Sequence, residues 1–306
     1  MKWQAVVALC ICPLLAHLQD HFKPALNKGS NHSMRNIDFI YMINLDQRPE
    51  KFAMANARLN AYGIIPYRFS AVNGWELPLS VINDLGVKLK PGLRNTEGLS
   101  SCYPLNGDGQ VLHEPMRVEG RSYFAHCLSR GAIGCAMSHL SVLQDAYDSG
   151  YKTIWIVEDD IQVVCNPHLL SDLIKQLDYD VGKDKWDILF TDRDMRKHNE
   201  YNRCTGYDKR RPNFKPKSWS MFKVRKNVSQ HLKRIGARFG SHSMIIRRSG
   251  IKKLLGFFKK YKIYFPYDVD YLAPPGIKIY CTRTDIVTNQ TNSISDNGGA
   301  FYLNKD

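Results

Sequence analysis

Three consecutive carboxylates, Glu158, Asp159 and Asp160, are the strongest chemical signal in the sequence. They directly follow an apolar run at residues 153–157, which predicts a buried strand. In open α/β sheets, ligands bind beyond the carboxyl ends of the strands. Side chains two positions apart in an extended segment point the same way, so Glu158 and Asp160 could face one site. Oxygen ligands suit Mn²⁺ or Mg²⁺, which would bind a diphosphate. A solvated acidic turn is the alternative.

A second signal is the segment 131–139, which precedes a predicted helix at residues 138–147. Gly131 and Gly134 would allow a phosphate to approach the backbone N–H groups at a helix start. The segment also contains Cys135, Ser138 and His139. The histidine could equally be structural, and the cysteine could be a buried apolar residue.

A third signal is the pair Asp268 and Asp270 in an aromatic segment. Either carboxylate could act as a general base. The alternative is a surface loop in which aspartate only caps the backbone.

The predicted elements place these signals in an α/β fold. A strand at 37–45, a helix with Pro49 in its first turn and a strand at 67–72 form a β-α-β opening, which favours parallel pairing. We expect further strands at 153–157, 186–190, 243–246, 277–281 and 285–287. We expect further helices at 138–147, at 169–177 and from Ser249 onward. Residues 77–129 are expected to form short helices and loops that could cover a site.

Length and charge limit the domain organisation. With 306 residues, the chain can form one large α/β domain, which we place at 34–306, with 199–238 as a basic loop or insert. Residues 1–33 are interpreted as a leader or signal-like extension outside the fold. The net charge of +14 predicts attraction to nucleotide diphosphates, anionic lipid or nucleic acid.

The N-terminal apolar run at residues 5–16 is long enough for a signal-peptide core and too short to cross a bilayer. The cysteines are scattered and have no C-x-x-C spacing, which suits a reducing compartment, but the six that follow Cys12 could also pair as disulfides. We expect a cytoplasmic protein with peripheral contact to an anionic membrane. If residues 1–20 are a true signal peptide, the secretory pathway is expected instead.

Four segments together resemble glycosyltransferase family 25. They are Ile43-Asn44-Leu45-Asp46 with Arg48, Ala71-Val72-Asn73-Gly74, the segment 131–139, and Val157-Glu158-Asp159-Asp160. They occur in the family's order, and the resemblance extends from about residue 37 to residue 296. The family includes bacterial lipopolysaccharide and lipooligosaccharide sugar transferases and animal collagen galactosyltransferases.

The resemblance implies a GT-A-like fold with a mainly parallel central sheet flanked by helices. It also implies inverting transfer of a hexose from a UDP-sugar, most often UDP-galactose, to a glycan or glycolipid acceptor. The acidic triplet would hold the metal, and Asp268 would be the first candidate base, with Asp270 second. The implied donor-binding residues are Asn44, Leu45, Arg48, Gly131, Gly134, Ser138 and His139.

The sequence departs from the family pattern at Ala132, where members commonly have glutamate. An inactive relative is therefore one alternative, and a hydroxylysine galactosyltransferase acting on a procollagen-type acceptor is another. A non-catalytic, basic nucleic-acid-binding protein is a third alternative. No recognition-helix, RNA-binding or zinc-finger signature is present, so we expect no nucleic-acid partner.

Overall fold

A mixed eight-stranded sheet forms the centre of the computed structural model, which describes residues 17–93, 98–107, 109–194, 211–291 and 293–300. In spatial order the strands are β10 (Arg225–Asn227), β11 (Leu232–Ile235), β13 (Ile279–Thr282), β9 (Ile188–Phe190), β12 (Ser243–Arg247), β7 (Thr153–Glu158), β1 (Phe39–Asn44) and β2 (Tyr67–Ser70). The sheet confirms an α/β class. Of the seven strands predicted from the sequence, six lie in it and the seventh, β14 (Val287–Asn289), lies in a small sheet beside it.

The predicted β-α-β opening is confirmed. Strand β1 is buried along its whole length and pairs in parallel with both β2 and β7. Helix α1 (Pro49–Asn60) begins at proline, whose missing N–H would have no helical partner at that position. Its buried residues include Ala55 and Leu59, which pack on one face of the sheet.

The expectation of a mainly parallel sheet is wrong. Only the pairings β1–β2, β1–β7 and β9–β13 are parallel, and the other four neighbouring pairs are antiparallel. The register pairs Ser243, the first residue of β12, with Val157 near the end of β7. The chain therefore enters β12 from the edge at which β7 and β9 end, without the crossover that a parallel strand requires.

Two apolar clusters cover the faces of the sheet. Helices α3 (Arg130–Asp148) and α5 (Arg248–Tyr261) contribute to the larger cluster, which includes Leu140 and Leu254. Helix α4 (Leu169–Val181) joins α1 in the other cluster. The acidic triplet is thus held at the end of a strand that is covered on both sides.

Residues 77–129 contain more regular structure than predicted. Helix α2 (Leu79–Leu85) is followed by a four-stranded sheet of order β3-β6-β4-β5, at Val87–Lys88, Ser122–Ala125, Ser100–Cys102 and Leu112–Glu114. These strands are only two to four residues long, too short to produce a readable alternation. A two-stranded sheet pairs β8 (Ile161–Val163) with β14.

The basic segment 199–238 lies partly outside the described residues. Its described part, 211–238, is not simply a solvated loop, because it contains β10, β11 and a 3₁₀ turn at Trp219–Lys223. Strands β10 and β11 extend the central sheet at one edge.

The described part of the leader-like segment, residues 17–33, lies against the α/β domain. Leu18 is 1% exposed, Lys23 Nζ donates to Ser70 Oγ at 2.6 Å, and the Tyr67 hydroxyl donates to the Leu26 carbonyl. The predicted domain boundaries remain predictions. Across the described ranges, no helix combines the length and apolarity needed to cross a bilayer. The five cysteines placed there are free thiols.

Candidate functional site

Two clefts meet at the acidic triplet. The first, here the Asn44 cleft, encloses about 660 Å³ out to its mouth, and the second, the Asp268 cleft, about 630 Å³. Four residues border both clefts: Cys135, Glu158, Asp160 and Asn297. The expectation that Glu158 and Asp160 face one site is therefore met by the placement of these two residues.

Glu158 is the best-anchored member of the triplet. Its Oε1 accepts hydrogen bonds from His139 Nε2 at 2.9 Å and from Ser241 Oγ at 2.6 Å. Burial alone would raise the pKa of Glu158, but these donors hold the pKa below its usual value. Glu158 is thus a fixed negative charge at the junction of the clefts.

Asp159 and Asp160 lack such compensation. Burial, together with the neighbouring carboxylates, raises the pKa of Asp159 to about 6, although its Oδ2 accepts a 2.6 Å hydrogen bond from Asn44 Nδ2. Burial and the charge of Glu158 raise the pKa of Asp160 to about 6 as well. Asp160 Oδ1 is buried and has no hydrogen-bond partner among the residues described. An additional positive charge would stabilise this region.

The arrangement fits a hard divalent cation in part. The carboxylates of the triplet supply oxygen ligands, but within the described structure the three of them do not form a set whose ligand atoms all lie within 4.8 Å of one another. Asp159 and Asp160 would therefore need further ligands from a bound molecule. Cys135, His139 and Glu158 do form such a close set, although the thiol proton is hard to remove because burial raises the pKa of Cys135 well above its usual value.

The residues predicted to lie near a nucleotide separate in the structure. Asn44 and Leu45 border the Asn44 cleft. Arg48 does not border the cleft, because its guanidinium pairs with Glu50 at 2.8 Å and with Asp296 at 2.5 Å. Arg48 supports the cleft wall from behind.

Gly131 and Gly134 lie inside helix α3, which begins eight residues earlier than predicted. A Cβ at Gly134 would lie 2.4 Å from the Gly74 nitrogen, and one at Gly131 would lie 2.8 Å from Asn297 Cα. These glycines therefore allow close packing of backbone segments, and Gly131 also borders the Asn44 cleft. Ser129, which caps the helix by accepting from the Ala132 N–H, was not identified from the sequence.

Ser138 and His139 are fully buried on α3. The Ser138 hydroxyl accepts from the Val72 N–H at 2.8 Å and so fixes the loop after β2. The His139 ring stacks on Tyr267 with 4.3 Å between centroids while it holds Glu158. Both residues border the Asn44 cleft and position its walls.

The two candidate bases have different surroundings. Asp268 borders the Asp268 cleft, and burial and the charge of Glu158 raise its pKa. Asp270 is 0% exposed and accepts from Arg211 Nε and Nη2 and from the Tyr264 and Phe265 N–H groups. The structure brings Asp268 to the triplet and leaves Asp270 in the core.

A segment at residues 293–297, here called the strap, completes the Asn44 cleft and was not predicted. Asp296 pairs with Lys51 at 2.9 Å in addition to Arg48, and the Trp75 indole donates to the Asp296 carbonyl at 3.0 Å. Lys51 borders the cleft, and its charge opposes the rise in pKa at Asp159 and Asp160. The strap has no periodic pattern, so no sequence signal could have placed it here.

A second acidic site follows β9. The Asp192 carboxylate is 1% exposed and accepts from both terminal nitrogens of Arg238, at 2.8 and 2.9 Å, and from His242 Nε2 at 3.0 Å. Burial would raise its pKa, but these donors lower it to about 2. His242 also borders the Asp268 cleft, so this ion pair supports that wall.

Comparison with known proteins identifies relatives over most of this domain. Residues 37–273 match the model of glycosyltransferase family 25, described as lipopolysaccharide biosynthesis proteins. A "Glycosyltransferase 25 family member" of Drosophila melanogaster is 25% identical over 173 residues, 56% of this chain and 24% of the relative.

Two human relatives have contrasting descriptions. An "Inactive glycosyltransferase 25 family member 3" is 26% identical over 158 residues, 51% of this chain and 22% of the relative. "Procollagen galactosyltransferase 2" is 25% identical over 157 residues, 51% of this chain and 21% of the relative. The chain thus spans less than a quarter of the length of these curated relatives. The family match covers more than half of the chain, from β1 past the Asp268 cleft, and the chain belongs to glycosyltransferase family 25.

Proposed function

We propose that this protein is a metal-dependent, inverting glycosyltransferase that moves a hexose from a UDP-sugar to an acceptor hydroxyl. The observation that carries the proposal is the meeting of two clefts at Glu158 and Asp160. A donor and an acceptor must approach one anomeric carbon from opposite sides, so adjoining clefts suit this chemistry. A GT-A-like fold remains part of the proposal.

The Asn44 cleft is assigned to the nucleotide diphosphate. Asn44 and Leu45 end the first strand, and the loop after β2 forms the opposite wall. Lys51 supplies a positive charge beside the triplet, which suits a diphosphate. The wider net charge of +14 supports attraction of an anionic donor and contact with an anionic membrane.

Asp159 and Asp160 are the residues that would hold Mn²⁺ or Mg²⁺, with Glu158 beside them. The fit rests on the buried, unpartnered Asp160 oxygen and on the raised pKa values of both aspartates. When bound, the cation would stabilise negative charge on the departing diphosphate. His139 and Ser241 keep the Glu158 carboxylate oriented and ionised throughout.

The Asp268 cleft is assigned to the acceptor, with Asp268 as the general base. Its raised pKa brings a carboxylate closer to the range in which it can accept a hydroxyl proton. The Gly240 N–H donates to Asp268 Oδ2 at 3.2 Å and fixes the carboxyl group. Asp270 is excluded from this role because Arg211 and two backbone N–H groups occupy its oxygens.

For the acceptor, we propose a lipopolysaccharide- or lipooligosaccharide-type glycan, in accord with the description of the family model. A procollagen-type hydroxylysine acceptor is the second candidate, because one relative is a procollagen galactosyltransferase. A cytoplasmic location follows from the first candidate and a secretory one from the second. Sequencing of the mature N-terminus separates the two locations.

A donor-binding protein without transferase activity is also a candidate, since one relative is described as inactive and Ala132 borders the Asp268 cleft. A thermal-shift screen of UDP-sugars with and without Mn²⁺ tests donor binding. We expect one UDP-sugar to raise the unfolding temperature, and more so with Mn²⁺, because ligands stabilise the state that they bind. If no UDP-sugar shifts unfolding under either condition, the proposed function is wrong. Sugar transfer to an added acceptor then separates an active enzyme from an inactive relative.

A further inference from the structure

We propose that Asn297 binds the hydroxyl groups of the transferred sugar and contributes to the choice of hexose. This inference rests on the proposed function and extends it to a residue of the strap.

The position of Asn297 carries the argument. It borders both the Asn44 cleft and the Asp268 cleft, together with Glu158 and Asp160. If the diphosphate lies in the first cleft and the acceptor in the second, the sugar that joins them must occupy their junction. Asn297 borders that junction from the strap, whereas Glu158 and Asp160 border it from the end of β7.

The backbone of Asn297 is fixed. The Ser129 hydroxyl donates to its carbonyl, and the absence of a side chain at Gly131 lets the strap approach α3. One residue earlier, the Asp296 carboxylate pairs with Arg48 and Lys51. A residue held in this way can present its side chain with little loss of conformational entropy on binding.

The side chain of Asn297 is available for a ligand. Asn297 is exposed, and its amide makes no hydrogen bond to any of the described residues. An amide group offers two N–H donors and a carbonyl acceptor, which matches neighbouring sugar hydroxyls that both donate and accept. It is also neutral, so it adds no repulsion toward the diphosphate.

The test compares two ligands on one variant. In Asn297→Ala, isothermal titration with Mn²⁺ present should show UDP binding unchanged, because UDP lacks the sugar. The affinity for UDP-galactose, or for whichever UDP-hexose the screen selects, should fall about three- to tenfold, as expected for one or two lost hydrogen bonds. The ratio of the affinities for UDP-galactose and UDP-glucose should move closer to one. Asn60→Ala, at an exposed position at the end of α1, is the control and should change neither affinity.

Each outcome is decisive. Equal loss of UDP and UDP-hexose binding would mean that Asn297 supports the cleft as a whole, and unchanged binding of both would mean that it does not contact the sugar. Either result overturns the inference while leaving the proposed function intact. Failure of the unaltered protein to bind any UDP-sugar would instead remove the proposed function, and the inference with it. Because the side chain is exposed, the unfolding temperature of Asn297→Ala should match that of the unaltered protein.

Discussion

Strands β7 and β9 run in the same direction through the sheet, and each is followed by carboxylates at the same edge. After β9, Asp192 is surrounded by donors from Arg238, His242 and Thr288, and its pKa falls to about 2. After β7, Asn44 is the side-chain donor to these carboxylates among the described residues, and the pKa values of Asp159 and Asp160 rise to about 6.

Under the proposed function, this difference separates a structural carboxylate from a functional one when both end a buried strand. At β9 the protein supplies the compensating positive charge, so the site is complete. At β7 the negative charge is offset only in part, by Lys51 and Asn44, and the remainder is costly unless a ligand compensates it. The contrast predicts that the two regions respond in opposite ways to mutation, pH and metal.

Asp192→Ala should produce the largest effect on stability. It leaves Arg238 buried without its partner, which should lower the free energy of unfolding by about 3–5 kcal/mol. Chemical denaturation measures the loss. The control is Asp172→Ala, which breaks an exposed pair with Arg35 and should cost about 0–1 kcal/mol. Equal effects of the two substitutions would contradict the distinction between the strand ends.

Asp160→Asn should have the reverse profile, with activity lost and stability kept. Metal-dependent transfer should fall about 100-fold or more, because a bound cation contributes several kcal/mol of charge stabilisation. The unfolding temperature should stay the same or rise, since the substitution removes a repelling charge without breaking an ion pair. Sugar transfer and thermal unfolding are the measurements. Full activity of the variant in the presence of a chelator would show that the β7 end does not work through a metal.

The pH dependence of stability should be opposite in sign at the two sites. For Asp159 and Asp160, a folded pKa of about 6 against an ordinary 3.8 means that their contribution to stability is present below about pH 4 and is lost as pH rises through 6. For Asp192, the contribution is present above about pH 4 and is lost as pH falls toward 2.

The free energy of unfolding, measured between pH 4 and 7 with and without Mn²⁺, tests the pH dependence predicted for Asp159 and Asp160. The unaltered protein should lose more stability across this range than Asp160→Asn, and Mn²⁺ should restore more of it at pH 7 than at pH 5, because protons compete for the ligands. Parallel curves for the two proteins would contradict the assignment.

Much of the central sheet could be predicted because its strands are continuous apolar runs. Residues 153–157 and the β-α-β opening at β1 are examples, and the triplet that follows β7 is conspicuous for the same reason. The antiparallel entry of β12 could not be predicted, because orientation depends on where residues 192–242 lead the chain. The short strands β3 to β6 carry too few residues for a pattern to be recognised.

A site residue could be predicted only where a reactive side chain also stands next to a recognisable strand or helix pattern. Asp268 and Asp270 are indistinguishable in sequence, and only the position of Arg211, more than fifty residues away, separates them. Likewise, Gly134 resembles a phosphate-binding glycine until Gly74 is placed against it. Lys51, Asp296 and Asn297 become recognisable only once the strap is in position.

The strap also has a consequence for biosynthesis. Residues 293–297 follow every strand of the sheet in chain order, yet they close the wall of the Asn44 cleft. Because proteins are made from the N-terminus, all eight strands can emerge from the ribosome before this wall exists. The Asn44 cleft can therefore be completed only after the last strand of the sheet has been synthesised.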